Sequence, residues 1–154
     1  MQNNVTIVSV SDEHIPQIVQ LEREIFSIPW STESFISEKE NECSHFTAAI
    51  LDNAVVGFCI LRSFYDEGEI LNIAVSPDHR GKSIGHALIG EAIEYADSHG
   101  IEVIFLEVRR SNEPAISLYK KYNFEPIAIR KNYYDAPKED AIIMRRTANT
   151  ERNP

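Results

Sequence analysis

The chain has 154 residues, with 15 Lys and Arg against 24 Asp and Glu for a net charge of −9, and 43% of its residues are hydrophobic. That length suits one domain with a buried core, and that hydrophobic share excludes general disorder. The acidity argues against a nucleic-acid or anionic-membrane surface and for cationic partners. The two cysteines, Cys43 and Cys59, lie in apolar stretches and read as strand-packing residues, with neither a disulfide framework nor a Cys-based metal site.

The N-terminus lacks the basic region and apolar run of a secretion signal. The longest apolar run, near Ala54–Leu61, falls far short of the roughly 20 residues a bilayer span needs. A cytoplasmic protein is expected, with one domain over residues 1–146 and a polar tail over 147–154.

Along the chain, Asn4–Val10 alternates apolar and polar residues as a half-buried strand does. Ser11 or Asp12 can cap the helix that follows, where Ile15, Ile18, Val19, Ile25 and Phe26 fall on helical spacing and Glu22 interrupts the stripe. Ile28-Pro29-Trp30 breaks that helix, and Ser31 opens a second, short one. Phe46–Leu51 and Ala54–Phe64 read as a hairpin around Asp52-Asn53. Glu69–Val75, mostly apolar, is expected to be buried on both faces and to end at Pro77. A long helix carries Ile84, Ala87, Leu88, Ala92 and Tyr95 and stops at Gly100. Ile101–Val108 reads as a buried strand, and Asn112–Tyr122 as a helix with Pro114 in its first turn. Phe124–Arg130 and Ala141–Met144 close the pattern as strands. Three antiparallel strands therefore lead into a strand–helix–strand crossover, which should be parallel.

Ser76–His86, SPDHRGKSIGH, follows a strand and opens a helix. Free N–H groups at a helix start form an anion site, and loop glycines let the backbone approach a phosphate. Arg80 and Lys82 add positive charge in an acidic chain. Basic residues at a helix start oppose the macrodipole, so a merely solvated loop explains them poorly. Gly81-Lys82-Ser83 matches the end of a Walker A loop, but Ser76-Pro77 stands where that loop needs its first glycine.

Arg80-x-x-Ser83-x-Gly85 resembles the pyrophosphate loop of the GNAT superfamily of acetyltransferases, Gln/Arg-x-x-Gly-x-Gly/Ala, with Ser83 in place of the usual glycine. Leu71-Asn72-Ile73-Ala74-Val75-Ser76-Pro77, Leu106-Glu107-Val108-Arg109-x-Ser111-Asn112, Ala115-Ile116-x-Leu118-Tyr119 and Asn123-Phe124 are similar to the C-terminal half of that superfamily in order and spacing. Pro29-Trp30-Ser31, Arg130-x-Asn132-Tyr133-Tyr134 and Glu139–Met144 resemble a narrower branch whose members acetylate the N-terminal alanine of a small-subunit ribosomal protein. The resemblance implies an α/β (α+β) fold with a mixed central β-sheet of about seven strands flanked by about four helices. It also implies acetyl-CoA as co-substrate and the basic N-terminal peptide of a ribosomal protein as partner.

Acetyl transfer to an amine needs a base for the amine, donors for the oxyanion and an acid for the thiolate. Glu107 shares strand parity with Val103 and Phe105. It is either a solvated strand end paired with Arg109 or Arg110, or a cleft carboxylate; the resemblance implies the base. Tyr119 lies on its helix's apolar stripe, and by itself that position favours a core residue; the resemblance implies the acid that protonates the coenzyme A thiolate. The resemblance further implies that the backbone of Ile73, Ala74 and Val75 meets the pantetheine arm. Arg80, Gly81, Lys82, Ser83, Ile84, Gly85 and His86 would cradle the pyrophosphate, and Asn112 would both cap its helix and bond the cofactor. Such backbone contacts require a splayed or bulged strand.

Trp30, Tyr133 and Tyr134 are candidates to line a peptide groove, with Trp30 equally suited to packing. Glu24, Glu33, Asp66, Glu67, Glu69 and Asp135 are candidate contacts for a basic peptide, or ordinary solvated charges. The five histidines show no metal-ligand spacing, so no metal is expected. No Gly-x-Ser-x-Gly nucleophile occurs, which favours direct transfer. The alternatives are another protein N-terminus, a lysine or a small amine as acceptor, or a non-catalytic coenzyme A-binding module.

Overall fold

Asp52 and Asn53 both take positive φ, 52° and 64°. Two consecutive left-handed residues make the tight turn whose twist suits a hairpin, and it joins β2 (Ser44–Leu51) to β3 (Ala54–Phe64). The computed structural model describes residues 4–148. Before the hairpin come β1 (Thr6–Ser9), α1 (Ile15–Ile25) and α2 (Thr32–Glu40). After it come β4 (Glu67–Val75), α3 (Ile84–Ser98), β5 (Val103–Arg109), α4 (Glu113–Lys121), β6 (Glu125–Tyr134) and β7 (Glu139–Thr147). The strands form a 7-stranded mixed sheet, ordered β1-β2-β3-β4-β5-β7-β6. All neighbours are antiparallel except β4 and β5, which are joined through α3 and run parallel.

Local chemistry sets the helix ends. Ser31 caps α2 by accepting the Ser34 N–H, and Asn112 caps α4 by accepting the Ala115 N–H. Gly100, at φ 74°, follows the last turn of α3 in the left-handed conformation that ends helices. Two apolar layers then cover the sheet. α1 and α2 pack Ile18 and Phe35 onto Phe46, Phe58 and Ile60. α3 and α4 pack Leu88, Ile89 and Tyr119 onto Ile104, Leu106, Phe124 and Met144. Each fully buried Phe or Leu in these layers contributes roughly 1.5–3 kcal/mol of hydrophobic stabilisation.

The middle of the sheet is where the site arises. Between the pairs Leu61↔Ile70 and Ile60↔Asn72 the register shifts, leaving Leu71 as an extra residue on β4. That bulge bends β4 away from β5. The two strands pair only from Glu67↔Val103 to Ile70↔Leu106, although β4 continues to Val75 and β5 to Arg109. A gap therefore opens in the sheet, with β4 backbone along one side.

Several expectations are corrected. Glu69–Val75 is not buried on both faces: Leu71, Asn72 and Ile73 are half-buried, because the gap replaces a neighbouring strand. β5 starts at Val103 and buries alternate residues only, since α1 and α2 do not extend over its other face. Glu22 does not interrupt the stripe of α1; it is buried at 1% exposure. Cys59 packs in β3, its thiol pushed up to about 12 by burial and the nearby Glu91, whereas Cys43 is exposed ahead of β2. Thr147, expected in the tail, closes β7 opposite Val103, and the tail from residue 149 on lies outside the described residues. Among the described residues no helix is long and apolar enough to cross a membrane.

Candidate active site

Two cavities open along the gap. The smaller, about 510 Å³, runs from Ile73, Ala74 and Val75 past the loop before α3 to Asn112, Pro114 and Leu118 of the α4 region. The larger, about 800 Å³, lies between the α1–α2 connection, with Phe26 and Trp30, and the β6–β7 connection, with Tyr134 and Asp135. Both are lined by Phe26, Ile73, Asn112 and Tyr119, so they meet at Tyr119.

The smaller cavity is lined by two short stretches of chain, residues 73–86 and 112–119, together with Ile25 and Phe26. Gly81 and Ser83 both take positive φ, 80° and 64°, so the chain turns back on itself just before α3. Arg80 Nε donates to the Val75 carbonyl at 3.3 Å and ties the loop to the end of β4. Arg80, Gly81, Ser83, Ile84, Gly85 and His86 all line this cavity; Lys82 stands in the same loop outside the lining. A helix start, a left-handed turn and a bulged strand offer N–H groups to a pyrophosphate and an amide-bearing arm. His79, not singled out from the sequence, also lines the cavity, and its buried Nδ1 has no hydrogen-bond partner among the described residues. These residues fit the phosphates and arm of a coenzyme A thioester. Asn112 uses its side-chain oxygen to cap α4, which leaves its amide N–H groups as the donors for a ligand.

Glu107 lies on the wall of the larger cavity, its side chain 22% exposed. Its ion-pair partner is Arg130, at 3.4 Å, and neither of the expected arginines: Arg109 pairs with Glu139 and Arg110 with Asp140. The Tyr133 phenol is pushed up chiefly by its interaction with Glu107, with burial a lesser cause. Glu69 stands on the same sheet face. Partial burial and the Glu107 charge hold its carboxyl above the usual range, against the pull of Arg62 and Arg130. Tyr119 is buried at 6% exposure, and burial pushes its phenol upward, with smaller contributions from Cys59 and Tyr134. Tyr119 therefore carries its proton at the point where the two cavities meet.

The aromatic candidates gather at the larger cavity. Trp30 lines it and also packs on Phe35, ring centres 5.2 Å apart. Tyr133 and Tyr134 line it edge to face, 5.1 Å apart. Burial, Glu107 and Tyr133 push the Tyr134 phenol up to about 12. Of the acidic candidates, Asp135 lines this cavity, whereas Glu33 lines a separate shallow groove beside α2.

Sequence reasoning missed Glu22. Its Oε2 accepts the Trp30 N–H and its Oε1 accepts Asn72 Nδ2, both at 2.9 Å. It thereby ties the α1–α2 connection to the bulge of β4, and burial holds its carboxyl above the usual range. A charged residue on an otherwise apolar helical stripe was the signal available. Among the described residues, no group of three or more His, Cys, Asp and Glu side chains is placed to hold a metal ion.

The acetyltransferase (GNAT) family model matches residues 15–124. A Bacillus subtilis (strain 168) protein provisionally named a ribosomal protein bS18-alanine N-acetyltransferase is 37% identical over 150 residues, covering 97% of this chain and 99% of its own length. The Escherichia coli (strain K12) ribosomal protein bS18-alanine N-acetyltransferase is 34% identical over 141 residues, covering 90% of this chain and 95% of its own. The crystal structure of the ribosomal-protein-S18-alanine N-acetyltransferase from Escherichia coli superposes with a TM-score of 0.87 at 33% identity, covering 93% of both chains. The narrower resemblance, to these RimI-type relatives, thus extends over nearly the whole chain. The chain belongs to the acetyltransferase (GNAT) family, acyltransferases that draw on acetyl-CoA.

Proposed function

We propose that this chain transfers acetyl from acetyl-CoA to the N-terminal α-amine of ribosomal protein bS18, an alanine, in the cytoplasm. The observation that carries this reading is the meeting at Tyr119 of a cleft along β4 and the loop before α3 with a second cavity that has Glu107 on its wall. The relatives' shared acceptor supports the choice of peptide.

In this reading the pyrophosphate lies on the amides of Gly81 to His86, with Arg80 and Lys82 nearby. The pantetheine arm runs along Ile73, Ala74 and Val75 and is bonded by Asn112. The thioester then sits near Tyr119, and the acceptor's first residues fill the larger cavity among Trp30, Tyr133 and Tyr134. Glu107, directly or through a water, takes a proton from the α-ammonium. The free amine attacks the thioester carbonyl, and a β4 N–H in the gap stabilises the oxyanion. As the tetrahedral intermediate collapses, the C–S bond breaks, Tyr119 protonates the leaving sulfur, the nitrogen gives up its second proton to water, and the Tyr119 phenolate is reprotonated from solvent. An α-amine has a pKa of about 7.7–8.0 against about 10.4 for lysine, so one carboxylate suffices for the former at neutral pH.

The test offers the purified protein and acetyl-CoA a peptide with the bS18 N-terminus, beside a lysine peptide and a polyamine, with mass spectrometry as readout. Acetylation of the α-amine alone is expected. Transfer only to lysine or polyamine overturns the acceptor, and acetyl-CoA binding without transfer to any amine overturns the activity.

A further inference from the structure

Arg109 ends β5 on the same face as Glu107, two residues on, yet it turns away from that carboxylate. Its Nη2 donates to the Asp135 carbonyl at 3.0 Å, and its Nη1 donates to the Pro137 carbonyl at 2.9 Å and to Glu139 Oε1 at 3.2 Å. The guanidinium also lies 4.4 Å from the centre of the Tyr134 ring. Glu139 is anchored in turn, because its other oxygen accepts the Ser111 N–H at 2.6 Å. One side chain thus grips the β6–β7 connection at two backbone carbonyls, one carboxylate and one aromatic face.

That connection has little else to hold it. Asp135, Ala136, Pro137 and Lys138 are all exposed, so no apolar burial fixes their path. Ala136 takes a positive φ of 52°, which a residue with a Cβ adopts only when its surroundings impose it. Three of these four residues, with Tyr134, wall the larger cavity. The two carbonyls held by Arg109 flank Ala136, and the Ala136 carbonyl accepts the Ser27 hydroxyl at 2.7 Å from the opposite wall. The grip of Arg109 therefore presents the Ala136 carbonyl, through which a hydrogen bond joins the two walls.

We infer that Arg109 is a positioning residue of the acceptor site, shaping the cavity wall that the acceptor's first residues meet. The inference rests on the reading of the larger cavity as the acceptor site. Arginine suits the task because its planar fork reaches two carbonyls while its face stacks on an aromatic ring; lysine offers a point charge and cannot do both.

Steady-state kinetics, with peptide and acetyl-CoA varied in turn, separate this role from a merely structural one. In Arg109→Lys the peptide KM should rise about tenfold while the acetyl-CoA dissociation constant stays within about twofold. Ser27→Ala should raise the peptide KM less, and the double variant should show less than the product of the two effects, because both act on Ala136. An unchanged peptide KM, an equal rise for both substrates, or independent effects in the double variant would each overturn the proposal. Should Arg109→Ala fail to fold, Arg109→Lys carries the test. If the wild type leaves the peptide unmodified, the acceptor reading fails by itself, and the same kinetics are then read on whichever amine is acetylated. Hydrogen exchange gives a readout independent of any acceptor. Arg109→Lys should lose protection at residues 134–139 and keep it at 84–90; unchanged protection at 134–139 sinks the proposal.

Discussion

The two cavities that meet at Tyr119 are made in opposite ways. The smaller, the donor cleft of the proposed reaction, draws on two main stretches that are close in sequence, residues 73–86 and 112–119. The larger, its proposed acceptor cavity, gathers residues from α1 and the α1–α2 connection, β4, β5, α4, β6 and the β6–β7 connection. Its walls are held by bonds between residues far apart in the chain, such as Asn72 to Glu22 and Ser27 to Ala136. A site made of residues close in sequence is fixed by the local chain. A site made of distant side chains can be retuned for a new acceptor without disturbing the first.

The comparison breaks most visibly at the residues between the cavities. Glu107→Gln and Tyr119→Phe should each lower kcat by about 10²–10⁴ while leaving the acetyl-CoA dissociation constant near its wild-type value. Titration calorimetry with acetyl-CoA alongside kinetics checks this. A loss of donor binding in either variant would mean that the cavities are not separable. Because the Tyr119 phenol is pushed above its ordinary value, it stays protonated through the neutral range. The loss in Tyr119→Phe should therefore be the same at about pH 6 and about pH 9.

Glu22 sharpens the comparison from the acceptor side. Glu22→Leu leaves the buried Trp30 N–H and the Asn72 amide without their acceptor, at a cost of about 2–4 kcal/mol. For a chain of this length that lowers Tm by roughly 5–15 °C. Glu22→Gln keeps an acceptor for Trp30 and removes the charge. The wild-type carboxyl has a folded-state pKa above its unfolded value. Its contribution is therefore fully present below the unfolded pKa and is lost as pH rises through the folded one. Glu22→Gln should accordingly gain stability relative to the wild type between about pH 4 and about pH 8 in urea unfolding. A constant difference across that range would show that burial does not govern this carboxyl.

The same contrast explains what could be read from the chain. The strand and helix order was legible because hydrophobic periodicity and caps such as Ser31 and Asn112 act within a few residues. The loop before α3 was legible because Gly81, Arg80 and the helix start are neighbours in sequence. The bulge at Leu71 carries no turn residue and shows only in how β4 pairs with β3, so only the three-dimensional register reveals it. Glu22 stood out as an exception to a stripe, but its partners Trp30 and Asn72 lie 8 and 50 residues away. The partner of Glu107 was expected among the adjacent arginines, yet the antiparallel neighbour β7 and the edge strand β6 bring Arg130 to it instead.

The smallest expected effect tests the donor side where this chain departs from its family. Ser83 stands where the family loop has glycine, and the structure places it in the left-handed region, at φ 64° and ψ 20°. For a residue with a Cβ that conformation costs roughly 1 kcal/mol, which glycine avoids while losing somewhat more freedom on folding. Ser83→Gly should then raise stability by at most about 1 kcal/mol, seen as a Tm gain of roughly 2–4 °C. The strain at Ser83 lies in the backbone of the fold, so its relief is read in folding stability. The acetyl-CoA dissociation constant should stay within about twofold in Ser83→Gly and equally in Ser83→Ala, which keeps the Cβ and removes the hydroxyl. A clear loss of acetyl-CoA affinity in Ser83→Ala alone would assign the work to the hydroxyl, and a donor cleft that depends on one side chain would no longer differ in kind from the acceptor cavity.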